Sequence, residues 1–464
     1  MRYEPPSRAI EEACFWLARH PVPAGPALAG EQSADLVVVG AGLTGLWTAI
    51  HLRQLDPGLD VAIVEAGRVA SGASGRNAGI LSDTIDHSHG LAIDHFGRDE
   101  AQRLAALGRA NLAELTGFLS AHGIECDLEP TGILTTALTP RHMRQLEDSL
   151  AAARSLGVHD WQILSADEMR AEIHSERYEG ALLNPAGAIL DPVRLTTGLA
   201  RYARSMGIRI LENSPVETLE PERDGVRITT GAGRLRARRC VLATSAYTHR
   251  LLPRVRHRFI PLFDYVRVSE PLTPEQHARL GWQGRQGVTD ARSFFNYARL
   301  TDDGRVLWGT SEAAYYPPNR VDPACDDSPR HYAELQASFA WHFPELSDLR
   351  FPWSWGGAIC ATTRFTPFFG TALGGRVHYG LGFTGHGLGT THLAGKVLAH
   401  LALKRDSDLL TLRLVREPPF PYPPEPLRRW AVGRVSRALR HVDAGARPGL
   451  LLRLLDALGL GLSS

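Results

Sequence analysis

Gly40, Gly42 and Gly45 form the pattern Gly-x-Gly-x-x-Gly near the start of the chain, after a β-branched run and at the opening of a helical pattern. The first glycine permits a tight turn, the second lets a pyrophosphate approach the backbone, and the third lets the helix pack closely on the strand. The free amides and partial positive charge of the helix start then face the phosphates. We therefore predict a dinucleotide site that includes Leu43 and Thr44, with a purely structural glycine turn as the alternative.

Glu65 ends the second predicted strand, twenty residues after Gly45. A carboxylate there can accept hydrogen bonds from an adenosine ribose, whereas an arginine would favour the 2′-phosphate of NADP. The acid therefore favours FAD or NAD, and we include Glu65 and Ala66 in the predicted site.

A second glycine-rich turn, Gly385-His386-Gly387, opens another helical pattern towards the C-terminus, with Thr390 and Thr391 as possible caps. An NAD enzyme needs one dinucleotide site and gives this turn no role. FAD differs because its isoalloxazine ring develops negative charge at N1 and the C2 carbonyl when it is reduced, and gains from a helix dipole aimed there. The two turns together favour FAD, with the first holding the pyrophosphate and the second stabilising the reduced flavin.

The segment SGASGRNAGIL, residues 71–81, follows Glu65 closely and is rich in small residues. Small side chains let a flat ring lie against the backbone, and Ser74, Arg76 and Asn77 can supply hydrogen bonds. The predicted FAD site also includes Gly75, Ala78, Gly79, Val216, Thr244, Cys360, Leu388 and Thr390.

The composition of the 464-residue chain is that of an ordinary globular protein of two or three domains. Its 51 basic and 50 acidic residues leave a net charge of +1, which does not indicate a nucleic-acid partner. The five cysteines are widely spaced and include no Cys-x-x-Cys pair, so neither a disulfide framework nor a zinc site is expected. The N-terminus carries acids and prolines in place of the apolar core of a signal peptide, which predicts a cytoplasmic location.

The elements that position these residues alternate between strand and helix at both ends of the chain. Residues 35–39 and 61–64 are typical of buried parallel strands around a helix. Residues 259–307 are rich in strand signals and include an Asp-Asp-Gly hairpin turn. We predict an α/β fold in which a Rossmann-like FAD-binding domain is interleaved with an antiparallel-sheet substrate domain. The predicted segments are an N-terminal arm (1–33), the FAD-binding domain (34–90, 181–258 and 351–414), the helical and substrate domain (91–180 and 259–350), and a proline strap with C-terminal helices (415–464).

Six motifs carry a resemblance to a known family: VVVGAGLTGL, VEAGRVASGASGRNAG, ILDPVRL, VLATSAYT, RVLWGT and GLGFTGHGLGTTHLAG. Over about residues 34–403 the chain resembles the D-amino-acid oxidase and glycine oxidase superfamily of FAD-dependent oxidoreductases. Within it, the chain is similar to the branch of gamma-glutamylputrescine oxidase and proposed aminophosphonate oxidoreductases. The resemblance implies FAD, a substrate chamber built on an antiparallel sheet, and hydride transfer from the carbon beside an amine to flavin N5, followed by hydrolysis of the imine. The implied partners are a small-molecule amine and, as electron acceptor, oxygen or another protein.

Several positions depart from the sarcosine oxidases of this superfamily. Those enzymes clamp the substrate carboxylate with an arginine and a lysine, where this chain has Gly79 and Gly389. The lysine that speeds their reaction with oxygen would fall near Leu307, in VLWGT. The resemblance therefore implies an amine whose anionic group lies elsewhere, and it leaves oxidase and dehydrogenase as alternatives. Cys360 falls near the cysteine that carries covalent flavin in sarcosine oxidases, with an unreactive buried cysteine as the alternative.

Three residues are predicted to act in catalysis: Arg76, Tyr297 and His386. Arg76 would lie over the flavin face or else tie its loop to the backbone. His386 would contact the ring through its backbone or act through its imidazole. Sites of this family often lack a dedicated protein base, because the substrate amine need only arrive neutral and oriented.

Tyr265, Asn296, Arg299 and Arg364 are the predicted substrate-binding residues. The period of two along a strand puts Tyr297 and Arg299 on one face and Asn296 on the other, so these residues cannot all line one chamber. Arg364 could contact an anion or form a surface salt bridge.

No metal site is predicted. Asp86, His87 and His89 resemble metal ligands, but no further ligand cluster accompanies them and a flavin motif lies beside them.

A basic helix is predicted over residues 427–441, with five arginines and no acid. Such a helix could meet a membrane surface or an acidic partner. Packing onto the body of the protein is the interpretation we favour, through the apolar positions Val432, Val435 and Leu439.

The sequence as a whole predicts an FAD-dependent enzyme that oxidatively deaminates a primary or secondary amine. The runner-up is the flavin subunit of an amino-acid or aminophosphonate dehydrogenase that passes electrons to another protein, to which the basic helix could dock. An FAD-stabilised scaffold would hold flavin that no amine reduces, and an NAD-linked dehydrogenase would lack flavin colour.

Overall fold

The computed structural model describes residues 8–457. Within that range the chain forms the strands β1 Gly30–Val39, β2 Val61–Val64, β3 Ile80–Leu81, β4 Ile133–Ala137, β5 Gln162–Ser165, β6 Gly180–Asn184, β7 Ala188–Ile189, β8 Arg209–Leu211, β9 Val216–Glu222, β10 Gly225–Thr230, β11 Gly233–Leu242, β12 Ile260–Val268, β13 Gly287–Asp290, β14 Asn296–Leu300, β15 Val306–Tyr315, β16 Trp353–Ala361, β17 Phe368–Ala372 and β18 Val377–Leu381. The α-helices are α1 Ile10–Ala13, α2 Phe15–Arg19, α3 Leu43–Leu55, α4 Ala73–Arg76, α5 His89–Phe96, α6 Arg98–Ala121, α7 Pro140–Ser155, α8 Ala166–Glu172, α9 Pro192–Ser205, α10 Thr248–Leu251, α11 Pro274–Leu280, α12 Pro329–His342, α13 Gly387–Leu403, α14 Arg413–Arg416, α15 Leu427–Asp443 and α16 Leu450–Ala457.

The first sheet has a parallel core with the strand order β18-β11-β1-β2-β8. β17 pairs with β18 in the antiparallel sense, and the hairpin β9-β10 extends from β11. α3 follows β1 and α13 follows β18, as helices follow strands in doubly wound folds. The predicted α/β fold with a Rossmann-like domain is confirmed.

Both faces of β1 are covered, which explains its uninterrupted β-branched run. Leu36 and Val38 pack with residues of α3 and α13, whereas Val37 and Val39 pack with residues of β10 and β11. The strand begins at Gly30, earlier than predicted, because its polar first half pairs with the start of β11.

Four parallel strands, β1, β2, β11 and β18, end at one edge of the first sheet. Each is followed by residues of the predicted FAD site, so this edge, which we call the carboxyl edge, brings together segments from both ends of the chain. α3 and α13 both start there and pack against each other. Gly395 permits the close approach, because a Cβ at this position would lie 2.6 Å from the Cβ of Trp47.

The second sheet has the order β16-β12-β15-β14-β13-β4-β6-β5 and is antiparallel except between β4 and β13. Two predicted domain boundaries differ from this arrangement. β16 pairs with β12 at nine positions and so belongs to the second sheet, although residues 351–414 are predicted to belong to the FAD-binding domain. β6 crosses the boundary predicted at residue 180 and pairs with β4 and β5. Pairing between strands that are far apart in the chain leaves no local pattern in the sequence that would predict it. The other domain boundaries stay predictions.

Alternation along its strands gives the second sheet two different faces. Val266, Val268 and Leu307 belong to the same apolar cluster as residues of β1 and α3. Tyr265 lies on the opposite face, where its ring stacks on His331 of α12 at a centroid distance of 4.4 Å. One face is therefore turned towards the first sheet and its helices, and the other towards α12.

The described part of the N-terminal arm is more ordered than its proline and glycine content predicts. α1 and α2 form there, and Cys14, Phe15 and Trp16 are buried. The Trp16 indole N–H donates to the Asn77 carbonyl oxygen at 3.0 Å. The arm is thereby held against residues 71–81, the predicted flavin loop.

The predicted basic helix forms as α15 and lies on the body of the protein. Its last residue, Asp443, accepts hydrogen bonds from the amides of Ser293 and Phe294 at 2.9 and 3.0 Å. The apolar positions predicted to pack are half-buried: Val432, Val435 and Leu439. This arrangement favours packing over a free amphipathic helix. Among the helices formed by residues 8–457, none is long and apolar enough to cross a membrane.

Candidate flavin and substrate site

The glycines of the first turn occupy positions where a side chain does not fit. Gly40 has a φ of +108°, and a Cβ there would lie 2.7 Å from the carbonyl oxygen of Ala243. A Cβ on Gly45 would lie 1.9 Å from the Gly40 carbonyl oxygen, and one on Gly42 would lie 2.8 Å from Ser74 Oγ. The bare backbone and the start of α3 therefore form a cradle of the kind that a pyrophosphate fits.

Glu65 lies beside this turn, as predicted. Its Oε2 accepts a 2.7 Å hydrogen bond from the Ala41 amide, and its Oε1 accepts a 2.9 Å hydrogen bond from the Gly67 amide. Burial raises the pKa of the Glu65 carboxyl, against the lowering effect of these two amides. Each carboxylate oxygen keeps a further lone pair with which to accept a hydrogen bond from a ribose hydroxyl.

The other predicted FAD residues of this half gather at the same edge. Ser74 Oγ accepts a 2.9 Å hydrogen bond from the Leu43 amide, which joins the flavin loop to the start of α3. The Ser214 amide donates to the Glu65 carbonyl oxygen at 2.8 Å, which brings in the start of β9. Four further predicted residues lie nearby: Thr44 in α3, Ala66 after β2, Val216 at the start of β9 and Thr244 after β11.

The second turn leads into α13 with Gly385 at a φ of +83° and His386 as the N-cap residue. The threonines do not cap the helix as predicted. Thr390 Oγ1 donates to the His386 carbonyl oxygen at 3.0 Å, and Thr391 Oγ1 donates to the Leu388 carbonyl oxygen at 3.3 Å. A hydroxyl inside a helix commonly bonds back to the preceding turn, and the first amides of α13 are left without a side-chain cap.

The His386 imidazole is tied to the segment after β3. Its Nε2 lies 2.9 Å from Thr84 Oγ1 and 3.1 Å from the Thr84 carbonyl oxygen, and its ring is 5.3 Å from that of His87. Burial lowers the pKa of His386. These contacts favour a role for the backbone of His386 at the flavin, and its catalytic role stays a prediction. Among residues 8–457, no group of three His, Cys, Asp or Glu side chains is arranged to hold a metal ion.

Arg76 joins the flavin loop to the second sheet. Its Nε donates to the Ser71 carbonyl oxygen at 2.7 Å, and its Nη1 donates to Asp326 Oδ2 at 2.8 Å. The Trp355 indole N–H donates in turn to the Arg76 carbonyl oxygen at 3.0 Å. Of the two interpretations of Arg76, the geometry favours the one in which it ties the loop in place.

The two glycines at the positions of the sarcosine oxidase clamp are both close to other backbone. Gly79 has a φ of +73°, and a Cβ there would lie 2.0 Å from the Leu190 carbonyl oxygen. A Cβ on Gly389 would lie 3.1 Å from the Ser82 carbonyl oxygen, which is closer than usual. Asn77 Oδ1 accepts a 2.9 Å hydrogen bond from the Gly79 amide and fixes the end of the loop. A basic side chain at either glycine would require the backbone to move.

Arg299 is predicted to bind the substrate, but in the structure it supports the same loop. Its Nη1 donates to the carbonyl oxygens of Leu190 and Gly79, at 2.6 and 3.2 Å, and its guanidinium lies 5.4 Å from the Trp16 ring centroid. Burial lowers the pKa of Arg299 to about 10. The alternation of side chains along β14 correctly predicts the face on which Arg299 lies. It does not predict that backbone carbonyl oxygens accept the hydrogen bonds of its guanidinium.

Tyr297 lies on that face as well and donates a 2.8 Å hydrogen bond from its hydroxyl to Asp264 Oδ2. Both residues are half-buried, and Asp264 is absent from the predicted site. Burial raises the pKa of Asp264 to about 7, although the Tyr297 hydrogen bond opposes the shift. The signal in the sequence is a single acid inside the apolar strand IPLFDYVRV, and no motif marks it.

Tyr265 and Asn296 are predicted to bind the substrate. In the structure they lie on the other face of the sheet, towards α12. The Tyr265 hydroxyl is 2.7 Å from that of Tyr316 and donates to the Cys325 carbonyl oxygen at 2.9 Å. Asn296 Oδ1 accepts a 2.6 Å hydrogen bond from Ser338 of α12. The Tyr265 hydroxyl is thus occupied by the segment before α12, and the Asn296 amide oxygen by α12 itself.

Arg364 is buried and forms neither predicted contact. Its guanidinium donates to the carbonyl oxygens of Leu414, Glu417 and Pro367, at 2.9, 2.7 and 3.0 Å, and to Thr366 Oγ1 at 2.7 Å. It thus fastens α14 and the start of the proline strap, because a guanidinium can satisfy several backbone acceptors at once.

Cys360 is buried in β16, in the same apolar cluster as Phe263 and Phe368. Burial raises the pKa of its thiol well above the usual range. Because the thiolate is the reactive form, this environment favours the unreactive alternative over a covalent flavin link.

The comparisons with known proteins agree with this geometry. A family model described as "DAO: FAD dependent oxidoreductase" matches residues 35–401. The gamma-glutamylputrescine oxidoreductase of Escherichia coli (strain K12) is 30% identical over 392 residues, covering 84% of this chain and 88% of that protein. A probable oxidoreductase OrdL of Haemophilus influenzae is 26% identical over 389 residues, covering 83% and 86%. The crystal structure of glycine oxidase from Geobacillus kaustophilus superimposes with a TM-score of 0.69 at 22% identity, covering 83% of this chain and 99% of that one.

Proposed function

Because the chain belongs to the DAO family of FAD-dependent oxidoreductases, we propose that it oxidises a primary or secondary amine to an imine, which water then hydrolyses. FAD is its cofactor. The observation that carries the proposal is the meeting of the two glycine turns at the carboxyl edge, with one face of the second sheet turned towards that side. The similarity to an oxidoreductase of gamma-glutamylputrescine, an amine, supports this substrate class.

The residues that would hold FAD come from four segments of the chain. The Gly40–Gly45 turn and α3 would bind the pyrophosphate, Glu65 the ribose, and residues 71–79 together with the start of α13 the ring system. FAD, when bound, would accept a hydride equivalent from the carbon beside the substrate nitrogen. The residues present fit FAD because the turn is built from three glycines, at which a Cβ would meet Ala243, Ser74 or Gly40.

The chain's own contribution is to hold the loop, orient the amine and keep water away. Arg76 fixes residues 71–79 against the second sheet, and Arg299 supports them from β14. Tyr297 is the candidate nearest to a substrate among the three catalytic predictions, because its hydroxyl lies on the face turned towards the flavin segments. Arg76 and His386 act, in this proposal, through position and backbone.

The second candidate is a dehydrogenase that passes electrons to a protein partner. The supporting observation is Leu307, which is fully buried in β15 and lies near the position that the resemblance gives to the oxygen-activating lysine of sarcosine oxidases. Slow reoxidation of the reduced enzyme by air, together with fast reduction of a dye acceptor, would favour this candidate. A cytoplasmic location and a small-molecule amine partner are part of the same proposal.

The experiment that tests the function is an absorbance spectrum of the purified protein, followed by anaerobic mixing with polyamines, amino acids and aminophosphonates. We expect yellow flavin that one class of amine bleaches. A protein that cannot take up FAD, or flavin that no member of the panel reduces, would contradict the proposal.

A further inference from the structure

We propose that Asp264, held by Tyr297, binds the cationic amino group of the substrate. The inference rests on the proposed function and deepens it, because it assigns the substrate class to a specific residue. The assigned ligand is an alkylammonium group on a carbon that carries no carboxylate. It passes one N–H proton to the ionised Asp264 carboxylate, which leaves the neutral amine that oxidation of the carbon–nitrogen bond requires.

The position of Asp264 in β12 turns it towards the flavin segments. Its neighbour in sequence, Tyr265, points to α12. Val266, two positions after Asp264, belongs to the cluster shared with β1 and α3, so Asp264 and Val266 share a face of the strand. Directly across the strand pair, Asp264 is in register with Gly357 of β16. A Cβ on Gly357 would lie 3.6 Å from Cδ of Arg76, so the flavin loop passes over the neighbouring strand.

The carboxylate of Asp264 has one oxygen to offer. Oδ2 accepts the hydrogen bond of Tyr297, whereas Oδ1 is shielded from solvent and has no hydrogen-bond partner within the described chain. No cationic side chain among residues 8–457 pairs with it. An unpaired buried carboxylate oxygen is costly, and a ligand that brings both a positive charge and N–H donors removes that cost.

An alkylammonium group supplies both, with three N–H donors around a compact charge. A carboxylate on the same carbon would be brought close to Asp264 and repelled by it. The glycines at positions 79 and 389 bring no positive charge that would offset this repulsion. The surroundings of Asp264 therefore select amines over α-amino acids.

The wild-type holoenzyme and three variants test this assignment by calorimetric titration with 2-methylhexan-2-amine. The nitrogen-bearing carbon of this probe has no hydrogen, so it cannot be oxidised, and it stays protonated between about pH 5 and pH 9. Burial raises the pKa of Asp264 to about 7, and Tyr297 is the titratable side chain that interacts with it. We expect binding to the wild type to strengthen at least about tenfold from pH 5 to pH 9, as the carboxylate ionises.

In Asp264→Asn we expect the affinity at pH 9 to fall about tenfold or more and the pH dependence to vanish. Tyr297→Phe keeps the charge but loses the hydrogen bond that lowers the pKa of Asp264, so its binding midpoint moves to higher pH. The matched control is Asp60→Asn, which removes an exposed carboxylate just before β2, at the opposite edge of the first sheet. Bound flavin in each variant shows that it has folded. Unchanged affinity and pH dependence in Asp264→Asn would overturn the assignment.

The amine panel separates this result from the proposed function. If no amine reduces the flavin but probe binding depends on Asp264, the proposed function fails and Asp264 binds an ammonium group that is not a substrate. If amines reduce the flavin of Asp264→Asn with the wild-type KM, the function stands and the assignment fails.

Discussion

Arg76 and Asp326 form a 2.8 Å ion pair that joins the flavin loop to the segment before α12, and both side chains are nearly buried, at 12% and 11% exposure. The pair thereby joins two residues that are 250 positions apart in the chain. The remaining oxygen of Asp326, Oδ1, is buried without a hydrogen-bond partner, so its charge depends on Arg76.

Substitution of Arg76 by alanine should therefore destabilise the protein by about 3–5 kcal/mol, because it leaves Asp326 as a buried and uncompensated charge. Thermal unfolding followed by flavin fluorescence measures the loss and reports whether FAD leaves early. As a control, Arg209→Ala breaks an exposed pair with Asp60 and should cost much less. Equal losses in the two variants would argue against a structural role of the Arg76 pair.

Substitution of Gly45 by alanine should abolish or strongly weaken FAD binding, because its Cβ would collide with the Gly40 carbonyl oxygen at 1.9 Å. Overpacking of this kind costs about 1–3 kcal/mol and displaces the turn that faces the pyrophosphate. The ratio of flavin to protein absorbance measures occupancy. Gly58→Ala is the matched control, since its nearest contact would be 3.6 Å away. A fully occupied Gly45→Ala protein would contradict the assigned pyrophosphate cradle.

The stability of Asp264→Asn should exceed that of the wild type by more at pH 8 than at pH 5. Folding raises the pKa of this carboxyl from 3.8 to about 7, so the folded chain holds a proton that the unfolded chain has released. Stability from this group is present at low pH and is lost as the pH rises through about 7. We expect an additional gain in Tm of a few degrees, about 2–4 °C, at pH 8. The same gain at both pH values would show that folding does not raise the pKa of Asp264.

Substitution of Cys360 by alanine should leave the flavin spectrum unchanged, because its thiol has a raised pKa and lies in an apolar cluster. Acid precipitation of both proteins should release the yellow colour into the supernatant. Colour retained in the wild-type pellet and lost from the Cys360→Ala pellet would instead establish a covalent link through this residue.

Local pattern alone predicts the turns and their chemistry. Gly40, Gly42 and Gly45 follow a strand and open a helix, and the acid at Glu65 ends the next strand, as the structure has them. Such signals are readable because each depends on neighbours a few residues away. The same holds for the period of two that places Tyr297 and Asn296 on opposite faces.

Only the tertiary structure decides which polar groups remain available for a ligand. Arg299 and Arg364 look in the sequence like substrate ligands, yet backbone carbonyls from distant segments occupy their donors. Asp264 looks like an isolated acid in a strand, yet it keeps a shielded oxygen without a partner. The physical reason is that strand propensity and turn geometry are local, whereas the pairing of a buried polar group depends on whatever chain the fold packs against it.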